Sequence, residues 1–206
     1  FEYVKAGSLP TVLKYDGLAA GKGVVIAETL EQAEEALKHG FTDITHIYNA
    51  CTSCFKTGVF RTAGVVEAAL AIDEISAQVI ADLRHLPKGL LKLIYKCKGD
   101  EKMYLITDGL EFSACNLKEN TIFTQENGVS VVYENNVMML ADKSALAGSV
   151  ATLRDCVSNM YKEVGVPLYS AVKMATLTPA SVINHQNSKG QIKIGCDADI
   201  ILFDDD

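Results

Sequence analysis

The strongest constraint on the fold is an alternation of short buried runs with helical stretches. Residues 43–47, 77–82 and 103–107 are apolar and strand-like. Helical patterns lie between them, at Val65 to Ala71 and from Pro87 through Leu90, Leu91 and Ile94 to a stop at Gly99. Strands alternating with helices predict parallel βαβ units. Upstream, Thr11 to Lys14 and Val24 to Ala27 read as strands around a Gly-rich turn, Asp16 to Gly23. Thr29 then caps a helix through Leu37, with Glu residues suiting its positive N-terminus. Downstream, runs at 121–124, 129–133 and 137–140 are separated by Asn-Gly and Asn-Asn turns, which is antiparallel hairpin chemistry. Helices are expected at about 150–163, 168–176 and 179–185. Gly190 to Phe203 reads as a turn plus a strand that pairs with the hairpin.

Composition narrows the function. The net charge of −7 over 206 residues argues against nucleic-acid or membrane-surface binding, which needs a basic face. No run approaches the ~18 apolar residues of a membrane span. The chain opens Phe-Glu-Tyr-Val-Lys, which is not a secretory signal. It opens without Met, and is expected to be a piece of a longer protein. Six scattered cysteines fit reduced thiols in a cytoplasmic protein. Cys196 falls in a turn at a strand edge, and the others read as small core residues.

Several residues could carry chemistry. His46 ends a strand beside Asn49, as a metal ligand or as a core histidine with satisfied hydrogen bonds. His85 follows another strand, next to Arg84, and could hold an anion or carbonyl or lie exposed in a loop. Asp108 closes the strand Leu105-Ile106-Thr107. A carboxylate there can bind metal and act as a general base, or cap a helix. Cys51 and Cys54 lack the further ligands of a structural zinc site. Arg61, in a Gly-flanked loop, is a phosphate clamp or a solvated arginine. Leu146-Ala147-Gly148-Ser149 precedes a helix, where backbone N–H groups meet an anion or Ser149 is an N-cap. Lys14 and Lys22 flank glycines as in a phosphate cradle, without P-loop spacing.

From about residue 38 onward the chain resembles the N-acetylglucosamine-6-phosphate deacetylase family of the amidohydrolase superfamily. The resemblance runs through Thr45-His46-Ile47-Tyr48-Asn49-Ala50, Ile80-Ala81-Asp82 with His85, Leu105-Ile106-Thr107-Asp108 and Leu146-Ala147-Gly148-Ser149. It continues through Met174 to Ala180 and the terminal Gly190…Gly195-x-Asp197-Ala198-Asp199-Ile200. The resemblance implies an α/β fold, a partial TIM-like (β/α) barrel represented by its last three strands, with a small β-sandwich remnant. It implies hydrolysis of the N-acetyl group of N-acetylglucosamine 6-phosphate to glucosamine 6-phosphate and acetate. Asp108 would be the catalytic acid/base, and His46 would hold a divalent metal, expected to be zinc. Asn49, Ala50, Arg61, His85, Leu146, Ala147 and Gly148 would contact the sugar phosphate. A homodimer is the implied assembly. Two positions depart from the family: Phe60-Arg61-Thr62-Ala63 stands where Arg-Glu-Pro is usual, and Leu83 where Gly is usual. The family's metal-binding Glu and first metal-binding His belong to the barrel half before residue 38 and have no counterpart here. The isolated chain is therefore expected to be weakly active or inactive.

Residues 9–36 instead resemble phosphoribosylamine–glycine ligase, an ATP-grasp family, through Pro10-x-Val12-x-Lys14-x-Asp16-Gly17-Leu18-Ala19-Ala20-Gly21-Lys22-Gly23-Val24. There Lys14 and Lys22 would sit near ATP phosphates. The expected division is an ATP-grasp-like segment 1–37, a partial barrel 38–120, a sandwich hairpin 121–140, a helical continuation of the barrel 141–189 and a sandwich strand 190–206. The ligase-like strands are expected to cover the open barrel edge. Alternatives to the deacetylase reading are a nucleotide-binding fragment and a non-catalytic structural fragment.

Overall fold

The structure is a computed structural model describing residues 29–126 and 128–203, and the backbone of 11–15 and 24–27. The loop at Gly17 to Gly23 with Lys22 lies outside the described residues, as does the Lys14 side chain.

Three parallel strands form the heart of the molecule: β3 (Phe41–Ile44), β6 (Ser76–Ile80) and β7 (Met103–Ile106). β6 lies between the other two, with Ile44 opposite Ala77 and Ile80 opposite Ile106. β1 (Thr11–Tyr15) pairs antiparallel with β3, and β2 (Val24–Ala27) pairs antiparallel with β1. The expected covering of the β3 edge is therefore observed. The five strands form an open sheet in the order β2-β1-β3-β6-β7, and no closed barrel forms among the described residues.

The connections are those of βαβ units. α1 (Leu30–Lys38) starts at Thr29, whose hydroxyl accepts from the Gln32 N–H at 3.4 Å. α2 (Val65–Ala71) precedes β6, and α3 (Lys88–Lys102) leads into β7. The stop expected at Gly99 is a kink instead: Gly99 takes φ 60° and the helix resumes to Lys102. A glycine tolerates that conformation without steric cost. Successive strand residues face opposite sides. One face of β6 and β7, with Ala77, Val79, Met103 and Leu105, packs on Val66, Ala69, Leu91 and Ile94 in one buried cluster. α4 (Leu153–Ser158) and a π-helical turn Asn159–Glu163 add Cys156 and Met160 to this core, and α5 (Leu168–Ala175) adds Ala171 and Met174.

The hairpin expectation holds. β8 (Ile122–Thr124), β9 (Ser130–Glu134) and β10 (Val137–Leu140) are antiparallel neighbours. Asn135 and Asn136 take φ 55° and 60° between β9 and β10, as a two-residue hairpin turn requires.

Four sequence expectations are corrected. β11 (Leu146–Gly148) is the fourth strand of this sheet, in the order β11-β10-β9-β8. Leu146 to Gly148 is thus strand rather than a helix entry, Ser149 bridges to Gly109, and Thr152 caps α4, accepting from the Asp155 N–H at 3.2 Å. Gly190 to Phe203 forms no strand. Lys189 Nζ instead pairs with Asp197 and Asp199 at 2.9 and 2.5 Å and folds the segment back on itself. α6 (Leu177–Val182) begins earlier than its expected start near 179. Finally, only Cys156 is a buried cysteine, while Cys54, Cys97 and Cys115 are exposed. Burial pushes the Cys156 thiol up to about 12, so it is an inert core group.

Candidate active site at the strand ends

The C-terminal ends of β3, β6 and β7 share one edge of the parallel sheet. Ligands of open α/β sheets bind beyond that edge. Each end carries a non-glycine residue in the left-handed region: His46 (φ 30°) after β3, Leu83 (φ 61°) after β6 and Asp108 (φ 46°) after β7. Tyr48 and Ala50 add two more in the turn after β3. Such strain is uncommon and clusters at functional sites.

The first turn is tied to the middle strand. The Ile47 N–H donates to the Gln78 carbonyl at 3.0 Å, and the Thr45 hydroxyl to Gln78 Oε1 at 2.8 Å. Gln78 Nε2 donates to Asp43 Oδ1 at 2.7 Å, and the Tyr104 hydroxyl donates to Asp43 Oδ2 at 2.8 Å. Thr45, Gln78, Asp43 and Tyr104 thus form a polar chain across all three parallel strands. Burial, then the Asp43 charge, pushes the Tyr104 hydroxyl far up, so it remains a donor. His46 sits on this support. Its Nδ1 is buried with no hydrogen-bond partner among the described residues. Asn49 Nδ2 donates back to the His46 and Ile47 carbonyls at 3.3 and 3.4 Å, and Ala50 is exposed beside it.

The second strand end is a closed hydrogen-bond unit. Asp82 Oδ1 accepts the Arg84 and His85 N–H groups at 2.9 and 2.8 Å, and Asp82 Oδ2 lies 2.6 Å from His85 Nδ1. The His85 side chain is 5% exposed, so it is not an exposed loop histidine. Burial resists ionisation of Asp82, but the His85 ring and the two amides outweigh it and hold the carboxyl below its ordinary value. A cleft of about 330 Å³ opens beside Asp82, lined also by Arg84, Asn136 and Asn159. His46, His85 and Asp108 do not line it.

The third strand end is exposed. The Asp108 side chain has no hydrogen-bond partner among the described residues, and no helix follows it, so it is not an N-cap. Its backbone is clamped to the strand after β10. The Ser149 N–H donates to the Asp108 carbonyl at 3.1 Å, and Leu110 N–H to the Ser149 carbonyl at 3.1 Å. Gly148 (φ 124°) packs so close that a Cβ would stand 2.8 Å from Leu110 Cγ. The fold therefore brings Gly148 and Ser149 beside Asp108, at the end of the strand that begins at Leu146 and Ala147. Arg61 stands apart, exposed on β5 (Phe60–Thr62), which pairs with β4 (Phe55–Thr57) in a separate hairpin.

These residues do not by themselves fit a metal. Among the described residues no three His, Cys, Asp or Glu side chains come together to hold one, whereas catalytic zinc takes three protein ligands. The orphaned His46 nitrogen fits a single ligand. The strand ends also hold Asp82, to which the sequence assigns no role of its own. Its signal is Asp followed three residues later by His in a loop, where Asp bonds backbone ahead of it.

Residues 124–206 match the Amidohydrolase family model. A deacetylase from Lysinibacillus sphaericus is 30% identical over 182 residues, covering 86% of this chain and 43% of that protein. The human N-acetylglucosamine-6-phosphate deacetylase is 28% identical, covering 92% of this chain and 45% of its own length. The crystal structure of the Pasteurella multocida enzyme superposes with a TM-score of 0.72 at 28% identity, over 82% of this chain and 42% of that one. The relatives are N-acetylglucosamine-6-phosphate deacetylases. This chain spans less than half the length of each. No helix among the described residues is long and apolar enough to cross a membrane.

Proposed function

We propose that this chain carries the C-terminal part of an N-acetylglucosamine-6-phosphate deacetylase site, with β3, β6 and β7 as the last three strands of a barrel. The observation behind it is that His46, His85 and Asp108 stand at one sheet edge, in a chain 30% identical to a deacetylase. In this reading Asp108 holds and moves the proton: its unpaired, exposed carboxylate takes one from the attacking water and returns it to the leaving amine. His85 meets a polar group of the sugar. The backbone of Leu146, Ala147 and Gly148, with Asn49 and Ala50, lines the sugar's path, and Arg61 takes the phosphate. His46 contributes one ligand to a divalent metal, zinc by the chemistry of an imidazole donor. A metal held there would supply Lewis-acid polarisation of the amide carbonyl. Its other ligands would come from outside the described residues.

The test is calorimetric binding of N-acetylglucosamine 6-phosphate by the full chain, with acetate release measured alongside in added zinc. Binding is expected, weakened by Arg61→Ala. Turnover is expected to be slow, falling about 10²–10⁴-fold in Asp108→Asn. Absence of binding at millimolar sugar phosphate would overturn the reading.

A further inference from the structure

Asp82 has no role in the chemistry described above, yet it is the best-bonded carboxylate at the strand ends. One oxygen takes two backbone N–H groups, from Arg84 at 2.9 Å and His85 at 2.8 Å. The other faces His85 Nδ1 at 2.6 Å. Both side chains are nearly buried, 3% exposed for Asp82 and 5% for His85. Leu83, between them, takes φ 61°, a left-handed backbone that a non-glycine residue adopts only under strain. The loop therefore holds a strained backbone that brings the ring onto the carboxylate.

We propose that Asp82 is a positioning residue that fixes His85 as the Nδ1–H tautomer and leaves Nε2 as its working nitrogen. The chemistry is forced by the partners. A carboxylate only accepts hydrogen bonds, so the nitrogen facing it carries the proton. The remaining nitrogen of a neutral imidazole is then an acceptor. Nε2 makes no hydrogen bond to any described residue, so it is free to receive one from a ligand O–H. The class of ligand is a polyol with a hydroxyl that can donate. Its identification as the sugar of N-acetylglucosamine 6-phosphate rests on the deacetylase reading; the tautomer does not.

Asp82→Asn separates positioning from support. Asn keeps a side-chain oxygen for the Arg84 and His85 amides, so the turn survives. Its amide turns a donor toward Nδ1, which then must accept, and the proton moves to Nε2. The measurement is long-range ¹H–¹⁵N NMR of the ¹⁵N-histidine-labelled full chain above pH 8. Its four histidines are assigned by the loss of one pattern in His85→Gln. The wild type is expected to show Nδ1–H with a pyridine-type Nε2, and Asp82→Asn to show Nε2–H. An Nε2–H or mixed pattern in the wild-type chain overturns the proposal, whatever the variant does. An unchanged tautomer in folded Asp82→Asn overturns it as well. A second arm adds N-acetylglucosamine 6-phosphate. The wild-type Nε2 signal is expected to shift, and affinity to fall about tenfold in the variant, the scale of one lost hydrogen bond. No shift in the wild type counts against the deacetylase reading, while the tautomer spectra decide the positioning role.

Discussion

Removing the Tyr104 hydroxyl tests whether the polar chain beneath the strand ends is structural support or incidental contact. In Tyr104→Phe the ring stays and the Asp43 carboxylate loses the donor at 2.8 Å. Both residues are 6% exposed, so water has little room to replace it. A hydrogen bond to a charged group is worth about 1.5–3 kcal/mol. Gln78 still donates to the other oxygen at 2.7 Å, so the carboxylate is not stranded, and the larger cost of about 3–5 kcal/mol for breaking a buried ion pair does not apply. The expected loss is about 2 kcal/mol. For a chain of this size that lowers Tm by roughly 4–8 °C. The assay is urea unfolding followed by circular dichroism at pH 7. Asp43→Asn and the double variant complete a thermodynamic cycle. Because Asn is neutral, the tyrosine bond in that background is worth less, and a coupling of about 1 kcal/mol is expected. A cost below about 0.5 kcal/mol, or strict additivity, would show that Tyr104 and Asp43 do not bind each other in the folded chain.

Gly64→Ala is expected to destabilise by about 1–3 kcal/mol, because a Cβ there would stand 2.5 Å from the Thr52 carbonyl and 2.7 Å from that of Ser53. Both obstacles are backbone, so thermal melting at or near the wild-type Tm would refute the packing at the start of α2. Asp82 sets an acid limit on stability: its carboxyl lies below the ordinary 3.8 in the folded chain, so its contribution is complete above about pH 4–5 and is lost as pH falls through the lowered value. The stability difference between wild type and Asp82→Asn, from urea midpoints, should be constant above pH 5 and shrink toward pH 2; a flat difference throughout rules out the shift.

Periodicity and turn chemistry made much of the fold legible. The parallel strands appear where apolar runs alternate with helices, and the Asn135–Asn136 turn appears where two residues tolerant of positive φ meet. The C-terminal segment misled because its apolar residues suit a strand, yet it pairs with neither edge strand of the β11-β10-β9-β8 sheet. Ile194 and Leu202 are left 103% and 94% exposed. At the site, His46 and Asp108 were legible as chemistry-bearing residues at strand ends. Asp82 was not, because its partners are two amides and one ring nitrogen within three residues, a local geometry that no apolar pattern reveals. The chain Thr45–Gln78–Asp43–Tyr104 was equally hidden, since it joins residues up to 61 positions apart.

The three strand ends share a construction that the residue types alone do not show. Each holds a non-glycine residue at positive φ, at His46, Leu83 and Asp108, and each strained point lies beside a hydrogen bond that a relaxed loop would lose. After β3 the bond is Ile47 N–H to the Gln78 carbonyl at 3.0 Å. After β6 it is the pair of amides on Asp82 Oδ1. After β7 it is Ser149 N–H to the Asp108 carbonyl at 3.1 Å. The left-handed region costs such residues about 1–2 kcal/mol, comparable with the roughly 0.5–1.5 kcal/mol of a single hydrogen bond. Each loop therefore sits near balance, with its conformation set by the clamp. Leu83 illustrates the point, because it keeps at φ 61° a backbone that glycine would adopt freely. The Asp82 clamp, with two amides rather than one, is what allows a leucine to occupy that conformation while His85 stays on its carboxylate.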